Sequence, residues 1–215
     1  MAQPLAERLR PTSFDNYVGQ QHLVGEGAVL RRMIDSGRIL SFIMWGPPGT
    51  GKTTIARIIA NKLNRPFYTL NAVSSGVKEV REVIDKAKNS PLFSKGGAIL
   101  FIDEIHRFNK SQQDSLLSAV ETGTVTLIGA TTENPSFEVI RPLLSRCQLY
   151  VLKSLEQEDL LELLEYAIAN DGVLKARGVE LRETAAIMRY SGGDARKLLN
   201  ILELVVEGAA SPFHR

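Results

Sequence analysis

The sequence has a single cysteine among its 215 residues, so it cannot form an internal disulfide, which fits a reducing compartment. Its three histidines, at positions 22, 106 and 214, lack the spacing of metal ligands, and we expect no structural zinc site. No apolar stretch approaches the ~18 residues that a membrane-spanning helix needs. Charged residues occupy the region where a secretory signal would have its apolar core. We therefore expect a cytoplasmic protein with no membrane partner.

A strong excess of either charge is also missing. Lysine and arginine total 26 and aspartate and glutamate 24, which gives a formal net charge of +2. This balance is too weak to argue for or against nucleic acid, which would have to bind at a local basic patch. With 44% hydrophobic and 23% charged residues the composition is that of a globular protein, and the length suits one large domain or two small ones.

Short apolar stretches alternate with helical patterns up to Lys153, which predicts a parallel sheet with helices on both faces. The predicted strands are residues 39–45, 66–70, 98–102, 125–130 and 148–152. After Lys153 only helical patterns occur, and the last begins at Asp194, a residue type that favours a helix N-cap. We thus predict an α/β domain over residues 1–153 and a small helical domain over residues 154–215.

A glycine-rich segment, GPPGTGKT at residues 46–53, follows the first predicted strand and precedes a helix. It matches the phosphate-binding motif G-x-x-x-x-G-K-[ST] in the context that this motif requires. Glycines let successive backbone N–H groups point at phosphate oxygens. Lys52 would neutralise the β- and γ-phosphates of a nucleotide, and the Thr53 hydroxyl would bind Mg²⁺. The alternative, a Gly/Pro turn before a helix, does not account for the full eight-residue match.

Two acidic residues, Asp103 and Glu104, follow the third predicted strand. In a parallel sheet a carboxylate at this position lies beside the phosphate-binding loop. Asp103 would hold Mg²⁺ through water and Glu104 would polarise the attacking water, which favours hydrolysis of ATP over its storage. The alternative is a solvated acidic pair at a strand end, and the phosphate-binding motif one strand–helix unit upstream argues against it.

Further candidates lie at the ends of other predicted strands. Thr132 would sit near the γ-phosphate, although ordinary turn chemistry around ENPS is an alternative. Asn71 is either a turn former or a residue that orients Glu104. Cys147 opens an apolar strand without a base or a second thiol in its pattern, and we interpret it as a small buried hydrophobe. Arg146 beside it has no obvious anion within this chain.

Five segments, GPPGTGKT, ILFIDE, GATTENPSFE, LLSRC and GGDARKLLN, occur in this order. With them the sequence resembles the AAA+ ATPases of the clamp-loader branch, most of all the RarA/MgsA recombination-factor family, relatives of the eukaryotic Werner-helicase-interacting ATPase. The resemblance implies a P-loop NTPase fold: a five-stranded parallel sheet with flanking helices, followed by a small all-α lid domain. It also implies that the strand after the phosphate loop lies at one edge and that the phosphate-loop strand lies beside the sensor strand.

The resemblance assigns roles to individual residues. It implies an adenine-binding set for ATP or ADP: Arg8, Pro11, Tyr17, Val18 and Gly19. It implies a phosphate-binding set: Pro48, Gly49, Thr50, Gly51, Lys52, Thr53 and Thr54. The Mg²⁺ ligands would be Thr53 and Asp103. Thr132 takes the position of the first sensor, where relatives often carry Asn. Arg196 matches the second sensor, although the residues alone favour a surface arginine near a helix N-cap.

Arg146, within LLSRC, matches the arginine finger of the family. Because the phosphate and magnesium ligands of the chain are already complete, its anion would be the γ-phosphate bound by the next subunit. The family is substantially longer, so the resemblance implies that this chain is a piece of a longer protein that forms homo-oligomers. We expect this shorter chain, as a monomer, to bind nucleotide and hydrolyse it slowly.

The resemblance implies a DNA-dependent ATPase of replication-fork maintenance, recombination and repair, at the nucleoid if the source is bacterial. It would bind forked DNA or single-stranded/duplex junctions, with single-stranded-DNA-binding protein or replisome components as partners. One alternative is a clamp-loader or Holliday-junction branch-migration module, although a single cysteine excludes the four-cysteine zinc module of the bacterial loader's ATPase subunit. The other is a nucleotide-switched scaffold with little hydrolysis, against which Glu104 argues.

Basic residues Lys78 and Arg81 lie three positions apart on a predicted helix, in a segment that resembles the one with which clamp loaders follow the DNA backbone. Arg107 and Lys110 are further candidates. Such charges would make modest, salt-sensitive phosphate contacts without sequence specificity. The alternative is a solvated helix face, because acidic residues alternate with the basic ones.

Overall fold

The computed structural model describes residues 3–89 and 97–209. Five strands are present in these ranges: β1, Phe42–Trp45; β2, Phe67–Asn71; β3, Ala98–Asp103; β4, Val125–Thr131; and β5, Gln148–Val151. They pair in parallel in the order β2-β3-β4-β1-β5. The predicted five-stranded sheet is confirmed, with β2 at one edge and β1 beside β4.

Helices connect the strands and follow the sheet. In the described ranges they are α1, Leu5–Arg8; α2, Gln21–Val24; α3, Val29–Asp35; α4, Lys52–Leu63; α5, Val77–Lys88; α6, Lys110–Glu121; α7, Pro135–Glu138; α8, Arg141–Leu144; α9, Gln157–Asn170; α10, Gly172–Ala176; α11, Ala185–Ser191; and α12, Ala195–Ala209. None of them has the length and apolar character needed to cross a membrane. Because α4, α5 and α6 each separate two consecutive strands, the predicted alternation is confirmed.

The central strands are buried along nearly their whole length. All seven residues of β4 and five of the six of β3 are buried, as expected of parallel strands covered on both faces. One cluster joins the sheet to α5 and α6 through Val80, Ile84 and Leu116. Helix α4 contributes the fully buried Ile55 and Ile59 and packs on β3 and β4. This core fixes the strand ends at which the candidate site residues lie.

The first strand begins three residues later than the apolar pattern predicts. Pairing between β1 and β4 does not extend to residues before Ser41, because the Ser41 hydroxyl accepts a hydrogen bond from Leu127 N–H at 2.9 Å. The Ser41 carbonyl accepts another from Gln148 N–H at 2.9 Å. The hydroxyl occupies a donor of β4 that a longer β1 would have used. The apolar residues 39–40 therefore precede the strand.

The chain divides into two compact units. One contains the sheet and comprises Gln21–Gly46 and Lys52–Leu152. The other is helical and comprises the residues up to Gln20, the loop Pro47–Gly51 and the residues from Lys153 onward. The division at residue 153 that the sequence favours stays a prediction about domains.

Leucine side chains form the core of the helical unit. Leu5 of α1 packs with leucines of the later segments: Leu155, Leu160, Leu164, Leu174, Leu198, Leu199 and Leu202. The predicted N-cap is present, since Asp194 Oδ1 accepts a hydrogen bond from Lys197 N–H at 2.9 Å. The N-terminal helix α1 is thus an integral part of this unit.

Candidate nucleotide-binding and hydrolysis site

The phosphate-loop segment links the end of β1 to the start of α4. Gly49 and Gly51 have φ values of +69° and +90°, the left-handed region that glycine adopts without a steric cost. A Cβ on Gly51 would overlap the hydroxyl of Tyr17, and one on Gly46 would overlap the Leu152 carbonyl. Glycine is therefore required at these positions by the local backbone and its neighbours.

Helix α4 begins at the lysine of the motif. Lys52 is buried, and its Nζ donates a hydrogen bond to the Gly46 carbonyl at 2.7 Å. Thr53 follows in the first turn and is half-buried, and Thr54 is buried. The twelve-residue helix directs the positive end of its dipole toward the preceding loop, which favours an anion there.

Two strand ends bring the candidate metal and water ligands to the carboxyl edge of the sheet. Asp103 pairs with Asn71 of β2, and its Oδ1 accepts a hydrogen bond from Glu104 N–H at 3.1 Å. Glu104 has φ +54° and ψ +42°, a left-handed conformation that costs a non-glycine residue about 1–2 kcal/mol. Strained backbone at a candidate catalytic residue is a frequent feature of functional sites.

His106 contacts Glu104, a placement that the sequence alone does not indicate. Its Nε2 lies 3.3 Å from Glu104 Oε2, and its Nδ1 lies 3.0 Å from the hydroxyl of Thr131. Asn71 Oδ1 accepts a hydrogen bond from Val73 N–H at 2.9 Å and so acts in a turn. His106 is thus a second candidate, besides Asn71, for the residue that orients Glu104. The spacing D-E-x-H is the pattern in the sequence that relates His106 to the acidic pair. It predicts their contact only once β3 is known to end at Asp103.

The end of β4 lies next to the start of the phosphate loop. Trp45 pairs with Thr131, and Gly46 N–H donates to the Thr131 carbonyl at 3.2 Å. Thr132, the predicted first sensor, follows immediately and is half-buried. Parallel pairing thus places Thr132 at the same edge as Asp103.

The segment after α8 carries the predicted arginine finger. Arg146 Nη1 donates to the Pro142 carbonyl at 2.6 Å, and Nη2 forms an ion pair with Glu121. The Arg146 side chain remains 39% exposed. Cys147 packs against the core of the sheet unit, and burial raises the pKa of its thiol to about 12. It is a partly buried hydrophobe, as its apolar context predicts.

The predicted adenine-binding residues belong to the helical unit. Tyr17 is buried and its hydroxyl donates to the Thr50 carbonyl at 2.9 Å, while burial raises its pKa. Pro11 and Val18 are half-buried, and Gly19 has φ +81°. Tyr17 thus supports the backbone of the phosphate loop.

Two arginines of the helical unit differ in their surroundings. Arg8 donates from Nε to Asp171 Oδ2 at 2.8 Å and from Nη1 to Glu203 Oε1 at 2.9 Å. Arg196, the predicted second sensor, is exposed in the first turn of α12. Arg8 is therefore engaged within its own unit, and the sensor role of Arg196 stays a prediction.

The remaining phosphate-loop residues have different surroundings. Pro47 and Pro48 are exposed, and Thr50 is buried with its hydroxyl donating to the Pro47 carbonyl at 2.9 Å. Backbone N–H groups, one lysine, one helix-start hydroxyl and one strand-end carboxylate are the groups that phosphates and Mg²⁺ require.

A family model for the ATPase family associated with various cellular activities (AAA) matches residues 42–155, more than half of the chain. The chain belongs to the AAA family of ATPases. Nucleotide and Mg²⁺ are the general requirements of this AAA fold, in agreement with the donor set above.

Curated relatives of this AAA chain include recombination proteins of bacteria and a eukaryotic ATPase. Replication-associated recombination protein A of Haemophilus influenzae is 52% identical over 96% of this chain and 47% of its own length. The protein of the same name in Escherichia coli is 48% identical over the same shares. ATPase WRNIP1 of Dictyostelium discoideum is 45% identical over 95% of this chain and 23% of its own length. The predicted resemblance is confirmed, and the chain spans about half the length, or less, of these relatives.

Solved structures that resemble this AAA chain include a branch-migration motor. The RuvB Holliday junction branch migration motor of Thermotoga maritima gives a TM-score of 0.72 at 29% identity, covering 93% of this chain and 65% of that one. A mutant of the same RuvB gives a TM-score of 0.74 at 28% identity. The likeness agrees with the AAA fold of this chain.

Proposed function

We propose that this chain is the ATP-binding and ATP-hydrolysing module of a DNA-dependent ATPase that acts in replication-fork maintenance, recombination and repair. The observation that carries the proposal is the identity of 52% to Replication-associated recombination protein A of Haemophilus influenzae over 96% of the chain, and of 45% to ATPase WRNIP1 of Dictyostelium discoideum over 95%. A complete phosphate-loop and strand-end carboxylate set supports the enzymatic part. Cytoplasmic location, at the nucleoid in a bacterium, belongs to the same proposal.

In the proposed hydrolysis of ATP, residues of the phosphate loop, of α4 and of two strand ends have separate roles. Residues 49–54 hold the phosphates, Lys52 neutralises the β- and γ-oxygens, and Thr53 and Asp103 hold the metal. A bound Mg²⁺ supplies charge neutralisation to the leaving phosphates. Glu104 polarises the attacking water, and Thr132 helps to place it near the γ-phosphate.

The module acts best as part of a homo-oligomer. Arg146 is presented on an exposed segment of the sheet unit, where it pairs with Glu121 of its own chain. In the proposal it exchanges this partner for the γ-phosphate of a neighbouring subunit, and Arg196 serves as the second sensor. Breaking the pair between Arg146 and Glu121 costs little free energy, because exposed ion pairs contribute only about 0–1 kcal/mol.

DNA binding in the proposal is electrostatic. Lys78 and Arg81 are exposed on α5, and Lys78 has only a loose ion pair with Glu82 at 3.9 Å. They would contact phosphates of forked or junction DNA without reading sequence. Single-stranded-DNA-binding protein or replisome components complete the proposed set of partners.

The test measures phosphate release by the full-length protein with no DNA and with single-stranded, duplex, forked and four-way DNA. We expect turnover that forked or junction DNA stimulates, and a Glu104→Gln variant that binds ATP with little turnover. Absence of turnover under every condition would instead support a nucleotide-switched scaffold.

The likeness to RuvB favours one second candidate, a branch-migration module. Its identity of 28–29% is well below that to the recombination proteins. Strand exchange on a four-way junction that depends on ATP and on this protein alone would favour the branch-migration function.

A further inference from the structure

The imidazole of His106 lies between Glu104 and the end of β4. Its Nε2 is 3.3 Å from Glu104 Oε2, and its Nδ1 is 3.0 Å from Thr131 Oγ1. The His106 side chain is 6% exposed and Thr131 is fully buried, whereas the Glu104 side chain is 31% exposed. The ring therefore joins a buried hydroxyl to the carboxylate that the proposed hydrolysis uses.

The hydroxyl of Thr131 has one proton and three polar neighbours. It accepts a hydrogen bond from Glu133 N–H at 3.0 Å. Its own proton can go to the Glu133 carbonyl at 3.1 Å or to His106 Nδ1 at 3.0 Å. Glu133 is an exposed residue to which water has access, so its carbonyl does not depend on the Thr131 proton, whereas an unprotonated Nδ1 of the buried ring does.

The choice of proton acceptor decides what the ring presents to Glu104. If Thr131 donates to Nδ1, the neutral ring carries its proton on Nε2 and can donate it to the carboxylate. If Thr131 donates to Glu133, Nδ1–H must donate to the hydroxyl, and the neutral ring then turns a lone pair toward a carboxylate oxygen 3.3 Å away. Both arrangements satisfy Nδ1, but of the two neutral tautomers only the first has an N–H that can attract Glu104.

We propose that His106 is a positioning residue that orients Glu104 through Nε2–H, and that the Thr131 hydroxyl selects the tautomer that does so. The proposal rests on the proposed ATPase function of Glu104. Its consequence is a link between the strand end that precedes Thr132 and the group that polarises water, because a change at Thr131 alters the hydrogen bond available to Glu104.

Four substitutions separate the two ends of the ring. In His106→Gln the side-chain amide reaches the position of Nε2, whereas in His106→Asn it reaches only that of Nδ1. His106→Phe keeps the ring without polar atoms, and Thr131→Val removes the hydroxyl at nearly constant shape. His22→Gln is the matched control, because His22 Nε2 contacts the Val151 carbonyl on β5, away from these groups.

The kinetic measurement is the ATPase rate of the full-length variants in the presence of DNA. We expect His106→Asn, His106→Phe and Thr131→Val to lower kcat by about 10- to 100-fold with KM for ATP changed by less than about 3-fold, because Glu104 acts on water and not on the phosphates. His106→Gln and His22→Gln should retain most of the rate. Equal kcat in all variants would overturn the proposal, and so would a rise in KM for ATP that accompanies a loss of thermal stability.

A second measurement does not require turnover. Long-range ¹⁵N NMR of the histidine rings at about pH 8 reports which ring nitrogens of His106 carry protons in the nucleotide-free protein. We expect the Nε2–H tautomer in the unaltered chain and loss of this preference in Thr131→Val. An Nδ1–H ring in the unaltered, active protein sinks the inference, while an inactive protein with an Nε2–H ring contradicts the proposed function alone.

Discussion

At the residue scale, the glycines of the phosphate loop make a sharp test of local geometry. Gly51→Ala places a Cβ at φ +90° against the Tyr17 hydroxyl. We expect ATP affinity to fall by at least about 10-fold, since the loop must shift, and a fluorescent ATP analogue measures it. Gly123→Ala is the matched control, because Gly123 has φ +71° but open space around its added Cβ. Both variants should lose at least about 1 kcal/mol of stability, Gly51→Ala more than Gly123→Ala, and only Gly51→Ala should lose affinity.

Arg8 gives a second test, because the sequence and the structure emphasise different roles for it. Arg8→Gln removes the charged partner of Asp171 and Glu203 in the helical unit. We expect a loss of about 1–3 kcal/mol in the free energy of unfolding, because the buried Asp171 loses its charged hydrogen-bond partner. Chemical denaturation and ATP titration of one sample separate the roles. A large loss of affinity at unchanged stability would favour an adenine contact instead.

The same contact predicts a pH dependence. Hydrogen bonding to Arg8 holds the pKa of Asp171 below its usual value of about 3.9. A lowered pKa in the folded state stabilises the protein above the unfolded value, and this contribution is lost as the pH falls through the folded one. Unfolding free energies measured between about pH 6 and pH 3 should therefore fall less steeply in Arg8→Gln than in the unaltered chain. Identical slopes would contradict the assignment.

At the element scale, the Gln113 side chain on α6 holds residues 138–140, the segment before α8, by hydrogen bonds. Its Nε2 donates to the carbonyls of Phe108 at 3.0 Å and Glu138 at 2.9 Å, and its Oε1 accepts from Ile140 N–H at 2.8 Å. Gln113 is 2% exposed, so these backbone groups have little access to water as a substitute. The segment leads directly into α8 and onward to Arg146.

Gln113→Leu should therefore destabilise the sheet unit by at least about 1–3 kcal/mol, since it leaves buried polar groups unpaired. We also expect the DNA-stimulated ATPase rate of the full-length protein to fall further than its ATP affinity, because the segment of Arg146 loosens. Thermal denaturation and steady-state kinetics measure the two effects. Ser118→Ala, on the exposed side of α6, should change neither, and equal effects of both variants would refute the fastening role.

At the scale of the whole molecule, the proposed assembly predicts complementation between variants. The full-length Glu104→Gln variant keeps the arginine finger but lacks the water-polarising carboxylate. The Arg146→Ala variant keeps the carboxylate but lacks the finger. Each alone should be nearly inactive, while a mixture should recover measurable turnover, since fingers are worth ~10³–10⁵ in rate in comparable enzymes. Phosphate release over a range of mixing ratios measures this. Full-rate hydrolysis by a proven monomer of the 215-residue chain would show that no neighbour is needed.

Much of the architecture was predictable because it depends on local patterns. Apolar alternation with helical periodicity indicated a parallel sheet, and the glycine-rich motif between a strand and a helix indicated a phosphate loop. The helices predicted after residue 153 are present, and Asp194 caps α12 as its residue type indicates. These features are encoded within some ten to twenty consecutive residues, so no knowledge of distant contacts is needed.

The sequence by itself determined the order of elements, the phosphate motif and the acidic pair. Tertiary structure decided where β1 begins, because Ser41 meets Leu127 and Gln148 from distant segments. It also decided that His106 lies against Glu104 and Thr131, and that Arg8 lies against Asp171 and Glu203. The physical reason is that hydrogen bonds and ion pairs act over about 3 Å, so the partner of a polar side chain depends on which segments the core brings together.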